Sequence, residues 1–325
     1  MRTQSLTLHA FREDIPGPRW RALYDATWNG YRNWYLGGPG ERPAVADAQQ
    51  ALRRHMPELV PTYRRLLDLT HDDPTTAAML THWNMPAFAP GCSQVVVDSG
   101  PRALIRNYDY HPALFEQVVM TTRFADRQVL GTSDCLWGLL DGMNSDGLAV
   151  SLTYGGAKGY GPGFGIPLVV RFLLESSATV PQALDRLDGL PVSGSYNLTL
   201  TDARGCVRTA HVAPGKTMQV RHDKLATNHR FDQVDDPEHA ERYRSVQRRR
   251  HLQTTLGREP AADELAAEFL TSPLRSTDYA GGFGTLYTAD YRPDDGVLHY
   301  RWPGTVWTRS FDSMDAELRL DVPAC

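Results

Sequence analysis

Cysteine is scarce in this chain, lysine is scarcer, and long apolar runs are missing. The four cysteines, at 92, 135, 206 and 325, are too few and too irregular for a disulfide framework. No Cys-x-x-Cys pair suggests zinc or redox work, so at most one cysteine is expected to do chemistry. No segment approaches the roughly 18 apolar residues that cross a bilayer, and the opening MRTQSLTLHAFREDIPGPRW has no apolar core of a secretory signal. A cytoplasmic protein with no membrane partner is the expectation. Excess charge is lacking too: a net charge of −4 gives no reason to expect nucleic acid or an anionic membrane. Small neutral or mixed substrates are the default. Lysine occurs only at 158, 216 and 224, and we draw nothing functional from that.

What is present is ordinary for a folded chain. Hydrophobic residues at 41%, aromatics at 10% and charged residues at 22% fit a globular protein, and 325 residues suffice for one large domain or two ordinary ones. Trp20, Leu23, Tyr24, Trp28, Tyr31 and Trp34 recur at helical spacing, which predicts a helix over 19–36 with an aromatic face turned inward. Helical patterns follow at about 44–55 and 58–69, and Asp73-Pro74 signals another start. The first 85 residues read as mostly helical. From residue 92 the character changes to short runs rich in β-branched and aromatic residues, then two helices over 167–190, further strands, a charged helix before 250, a helix near 260–270, and two or three closing strands. Strands, helices and strands again predict an α+β fold in which helices cover the outer faces of stacked sheets.

The chemistry gathers in GCSQVVVDSGPRALIRNYD, residues 91–109. A thiol of ordinary pKa needs a base or a cation before it is a good nucleophile at neutral pH, and no Cys/His signature of the papain type is present. If the Gly91–Cys92 bond is cut, the new α-amine can take the thiol proton, so that one residue supplies both nucleophile and base. Glycine at 91 suits a strained backbone and leaves its carbonyl open to attack. Arg106 would favour the thiolate and Asp109 could hold the α-amine. Their opposite parity lets both face Cys92 only if the strand ends or bulges near Tyr108.

These residues resemble the N-terminal-nucleophile hydrolases of the choloylglycine hydrolase and penicillin V acylase group. They resemble still more the autoproteolytic acyl-coenzyme A:6-aminopenicillanate acyltransferase relatives, which carry a cysteine followed by Arg-x-x-Asp. DGMNSDGLAVSLTYGG, residues 141–156, is similar to a segment of that family. The resemblance implies that the Tyr154 backbone N–H helps form an oxyanion hole, with the Asn197 side chain in YNLTLTDARG as second donor. ATNH, residues 226–229, is similar to the family's Thr-Asn-His turn. SVQRRRHL resembles its Ser-x-x-Arg helix, which implies Arg248 as a second active-site arginine, with Arg244 as the alternative. It also implies a four-layer αββα sandwich over 92–325. Residues 1–91 would be a helical pro-segment, released from the nucleophile by self-cleavage but retained as a small subunit.

Substrates would be acyl amides or acyl-coenzyme A thioesters, handled without metal or bound cofactor. The bland alternatives are a buried structural cysteine, or an unprocessed relative that binds a partner or small molecule without turnover. GGAKGYGPGFG, residues 155–165, lacks the ending of a phosphate loop and reads as a flexible loop at the site rim. In HDDP, residues 71–74, a helix start is a cheaper account than a metal site.

Overall fold

The structure, a computed structural model, describes residues 3–38, 40–70, 73–86 and 91–323. Its strands are β1 (Thr3–Arg12), β2 (Gly91–Val97), β3 (Ala103–Tyr110), β4 (Val118–Thr122), β5 (Val129–Asp134), β6 (Gly138–Asn144), β7 (Leu148–Tyr154) and β8 (Tyr196–Asp202). The series continues with β9 (Val207–Val212), β10 (Gln219–Arg221), β11 (Leu225–Ala226), β12 (Thr277–Asp278), β13 (Phe283–Arg292), β14 (Val297–Trp302), β15 (Thr305–Ser310) and β16 (Ala316–Pro323). Helices α1 (Pro18–Gly37), α2 (Val45–His55), α3 (Val60–Asp68) and α4 (Pro74–Met79) precede β2. After β7 come α5 (Ile166–Ser176) and α6 (Val180–Leu187), and after β11 come α7 (Pro237–Arg242), α8 (Ser245–Leu256) and α9 (Ala262–Glu268).

Among the described residues one sheet runs β10-β9-β8-β7-β6-β5-β4-β1-β16 and the other β11-β2-β3-β13-β14-β15, with β12 beside β13. The sheets face each other through β2 and β3 against β7 and β8, with α5 on the outside of the first and α8 on the outside of the second. That is the αββα sandwich. Period-two alternation explains how β2 and β3 serve two layers. Val96 and Leu104 enter the core between the sheets, whereas Val95, Val97 and Ile105 pack with Leu252, Leu265 and Phe269 of the α8–α9 layer. Each such side chain contributes about 1.5–3 kcal/mol on full burial. α5 is apolar around nearly its whole circumference, as a helix buried on all sides requires.

The segment ahead of Gly91, expected to be mostly helical, also carries a strand that the expectation did not include. Its first element is β1, which lies between β4 (parallel) and β16 (antiparallel) in the larger sheet. The alternation of buried Leu6, Leu8 and Ala10 is the reason, since one face of that strand is apolar. The helices match the expected pattern. The α1 N-terminus is satisfied by Glu13, whose carboxylate accepts from the N–H groups of Arg19 and Trp20, both at 2.9 Å. Trp20 Nε1 then donates to the Leu136 carbonyl at 2.9 Å, tying α1 to the sandwich. Asp73 caps α4 by accepting from Thr75 and Thr76 N–H, as a helix start predicts, while His71 and Asp72 lie outside the described residues.

No helix among the described residues is long and apolar enough to cross a membrane.

Candidate active site

Cys92 is the second residue of β2, 1% exposed, and sits directly across from Tyr108 of β3. Arg106 lies opposite Gln94, two residues along the same face, and its Nη2 donates to the Cys92 sulfur at 3.2 Å. A guanidinium with no solvent around it must be neutralised inside the protein. Asp141, on β6 of the facing sheet, does this: its Oδ2 accepts from Arg106 Nη1 at 2.5 Å and from the Tyr287 hydroxyl at 2.6 Å. Its Oδ1 accepts from Thr132 and Tyr291, and the Leu140 carbonyl takes a further bond from Arg106. Arg106 is thereby fixed from one sheet while it reaches the sulfur on the other.

Asp109 points the other way, as its parity requires. It enters the helix layer, where Oδ2 accepts from Arg248 Nη1 at 2.5 Å and Oδ1 from the Thr285 hydroxyl at 2.5 Å. The bulge near Tyr108 lies on the partner strand: the β13–β3 register shifts between Thr285 and Tyr287. Arg248 is fully buried one turn into α8, and its remaining N–H groups go to the carbonyls of Pro273 and Leu274. Arg244 precedes the helix with φ +50° and is half-buried, so of the two arginines Arg248 is the one brought to Asp109.

The Cys92 backbone N–H is not held by Asp109. It donates to Asn228 Oδ1 at 3.0 Å, and Asn228 is buried. The turn bearing Asn228 is fixed from beneath. Asn197 Nδ2 lies within hydrogen-bond reach of the carbonyls of Thr227 and His229, both at 3.1 Å, and of Thr153 Oγ1 at 3.0 Å, while His211 Nδ1 sits 3.0 Å from Asn197 Oδ1. With two N–H protons and these acceptors, the Asn197 amide is committed to the turn rather than turned toward Cys92. His229 Nδ1 lies 2.6 Å from Ser245 Oγ, which links the turn to the start of α8.

Tyr154 ends β7 opposite Tyr196. The Gly155 N–H donates to the Ser195 carbonyl, so Tyr154 and Tyr196 form a non-hydrogen-bonded pair and the Tyr154 N–H is directed away from β8. β6 pairs with β7 only as far as Ser151, leaving that side of Tyr154 without a strand neighbour. The Tyr154 ring begins an aromatic row: His239 at 4.6 Å, then Tyr243 at 4.3 Å, then Phe283 at 4.7 Å. The row ends on Gly91. A Cβ there would lie 2.4 Å from Phe283 and 2.8 Å from Tyr243, so glycine is needed for close approach. Its φ is not positive, and the expected backbone strain at Gly91 is therefore replaced by a steric requirement.

Electrostatics follow from burial. Loss of water pushes the Cys92 thiol up despite the pull of Arg106, so the thiol is protonated at neutral pH. Burial also pushes the Asp109 carboxyl up, against Arg248 and Thr285. His229 is lowered to about 4 by burial and the charge of Arg249, and it is neutral across the physiological range. No cluster of three metal-ligating side chains occurs among the described residues. Asp141, Thr285 and the role of Asn228 escaped the sequence reading; the DGMN and ATNH segments were the only signals for the first and last.

Among solved structures the chain is similar to a mutant of conjugated bile acid hydrolase from Clostridium perfringens, at 12% identity over 70% of this chain and 96% of that one, with a TM-score of 0.48. It is similar to penicillin V acylase from Agrobacterium tumefaciens at 13% identity over 67% and 86%, with a TM-score of 0.44. For the Caenorhabditis elegans ortholog of N-acylethanolamine-hydrolyzing acid amidase the values are 16%, 63% and 93%, with a TM-score of 0.47. No curated protein sequence matches the chain. Residues 96–307, more than half of the chain, match the family model of acyl-coenzyme A:6-aminopenicillanic acid acyl-transferase. That span begins four residues after Cys92 and contains Arg106, Asp109, Tyr154, Asn197, Asn228 and Arg248. By this match the chain belongs to the acyl-coenzyme A:6-aminopenicillanic acid acyl-transferase family.

Proposed function

We propose that the protein is a self-cleaving cysteine amidase or N-acyltransferase in which Cys92 carries the acyl group. The observation that supports this most is the convergence on one residue of a buried guanidinium at the sulfur and an amide oxygen at the backbone nitrogen. In the uncut chain the sulfur attacks the Gly91 carbonyl carbon, an S–C bond forms, the C–N bond breaks, and the departing nitrogen takes up the proton given by the thiol to become the new α-amine. Water hydrolyses the thioester and releases residues 1–91 with a Gly91 carboxylate. Because burial keeps the uncut thiol protonated, this first reaction is slow. Afterwards the free amine beside Asn228 accepts the thiol proton.

The mature Cys92 attacks a linear acyl amide or an acyl thioester, the substrate C–N or C–S bond breaks and its amine or thiol leaves with the proton held by the α-amine, and the acyl group then passes from sulfur to water or to an amine. The oxyanion is received by the outward Tyr154 N–H and by the Asn228 amide beside Cys92. Asn197 serves as the positioning residue behind that turn, in place of the direct donor role expected from sequence. Arg106 steadies the thiolate and the Asp109–Arg248 pair fixes the end of β3. The segment ahead of Cys92 stays associated because β1 is an interior strand of the larger sheet.

Incubation with an acyl amide or acyl-coenzyme A followed by acid quench and peptide mass spectrometry tests the reading. An acyl adduct on the Cys92 peptide, lost faster when an amine is added, supports it and reports transfer. An adduct on any other residue, or turnover by Cys92→Ala, contradicts it.

A further inference from the structure

Three acidic groups meet where α1 lies on the sandwich. The Tyr31 hydroxyl of α1 lies 2.5 Å from Glu116 Oε1 and 2.8 Å from Asp134 Oδ1. The Cys135 N–H points at the same phenol oxygen from 3.0 Å. A phenol has one proton to donate, and it cannot serve two ionised carboxylates at once. Glu116 is also supplied by the Leu136 N–H and the Ser133 hydroxyl, both at 2.6 Å. Asp134 Oδ1 accepts the Cys135 N–H at 2.8 Å, but once the phenol donates to Glu116 no proton lies between Asp134 Oδ1 and Tyr31 Oη, 2.8 Å apart, and a second proton on Asp134, donated to the phenol, closes that contact. Among the described residues no arginine, lysine or histidine lies within ion-pair distance of either carboxyl. Arg171 of α5, whose charge reaches Glu116, is itself paired with Glu175 at 3.0 Å.

We propose that α1 is fastened to the sandwich by this shared proton, so that docking of the leader tightens as pH falls and loosens as the Tyr31–Asp134–Glu116 group loses its second proton. The inference bears on how the proposed cleavage is regulated, but it concerns docking alone and stands whether or not the chain is cut.

The surroundings leave this group as the one that titrates. Tyr108 and Tyr110 of β3 face Asp134, the Cys135 thiol adjoins it, and Tyr196 of β8 faces Cys135. All four are pushed upward by burial and stay protonated through the neutral range. Asp134 is raised to about 7 by burial and by the Glu116 charge. The proton has a route to solvent, because Tyr31, Trp34, Tyr110, Phe115, Glu116 and Asp134 line an open cavity of about 350 Å³. For a carboxyl raised by docking, the favourable linkage is fully present below its undocked pKa. It is lost as pH rises to the docked value near 7 and stays level above that.

Amide hydrogen exchange of residues 18–37 in the full-length Cys92→Ala chain tests the idea without cleavage. Protection factors, corrected for intrinsic exchange, are read from about pH 4.5 to 9. Protection of α1 is expected to fall by up to about tenfold per pH unit toward pH 7 and then level off, while amides of β2 and β3 hold steady. Asp134→Asn, which keeps a donor on the phenol, should retain the low-pH protection throughout. Tyr31→Phe should lower protection and flatten the profile. If Asp134→Asn does not fold, Glu116→Gln should flatten the profile by removing the other charge. A wild-type α1 profile that is flat, a slope shared by β2 and β3, or a substituted acid that leaves the slope unchanged would overturn the proposal.

Discussion

Alanine at position 91 adds one methyl group and is expected to disable the site from a distance of a few ångströms. The new Cβ would sit 2.4 and 2.7 Å from two Phe283 ring atoms and 2.8 Å from a Tyr243 ring atom, all below the separation real Cβ atoms tolerate. Ordinary contact needs a relative displacement of roughly 1 Å, and both rings have little room. Phe283 carries the Arg248 guanidinium at 4.7 Å from its centroid, and Arg248 holds Asp109. Overpacking of this kind costs about 1–3 kcal/mol. A misplacement of about 1 Å at reacting atoms costs about a hundredfold in rate, or roughly 2.7 kcal/mol in the barrier. Gly91→Ala should therefore melt earlier and cleave about a hundredfold more slowly, read by calorimetry and by the time course of band conversion on a denaturing gel. Phe283→Leu in the same chain should restore part of the lost rate by making room. Wild-type cleavage by Gly91→Ala would refute the claim that packing against these rings positions the bond.

Removing Arg248 by alanine leaves the buried Asp109 with the Thr285 hydroxyl but no cation and should destabilise the fold by about 3–5 kcal/mol in urea titrations, whereas Arg244→Ala should stay within about 0.5 kcal/mol. Asn228→Ala should slow cleavage and acyl transfer by about 10²–10³-fold and cost about 1–3 kcal/mol of stability by leaving the buried Cys92 N–H unpaired, while Asn197→Ala, which frees the whole 227–229 turn, should also lower both rate and stability. His229 has a depressed folded pKa of about 4. Its contribution is therefore present above the unfolded value near 6.5 and lost as pH falls to 4, on the order of 1–3 kcal/mol after allowing for partial solvent contact. His229→Gln should remove that part of the acid-side slope in a stability-versus-pH series.

Local pattern made the Cys92–Arg106 contact legible, because the two strands that carry it are consecutive and pair across a short connection. The expectation that Asp109 holds the Cys92 amine needed a break in β3 near Tyr108; the register shift falls on β13 instead, alternation holds through β3, and Asp109 passes into the helix layer. What could not be read were partners brought from far along the chain. Asp141 reaches the site across the sandwich, with only its DGMN segment to signal it, and Thr285 reaches it from β13, where nothing local distinguishes it from other polar strand residues. The resemblance points to Asn197 as the donor and gives Asn228 no role; the hydrogen bond from Cys92 to the 228 side chain is what brings Asn228 to the site. β6 carries Gly138 and Gly142, and glycine within a strand weakens its pattern. Gly142 is needed there because a Cβ would meet Leu174 of α5 at 2.9 Å. β1 was within reach of its Leu6, Leu8, Ala10 alternation. Its partner β16 comes from the opposite end of the chain, so its place in the sheet was not.

The claim on which the account turns is that the working nucleophile is a cysteine whose own freed amine is its base. Intact-mass measurement of the purified protein, with N-terminal sequencing of the larger piece and activity assayed on the same sample, addresses it directly. Chains of 91 and 234 residues, the second beginning Cys-Ser-Gln, with activity rising in step with cleavage, are the predicted result. Full activity in a sample whose 91–92 bond is intact would contradict the account.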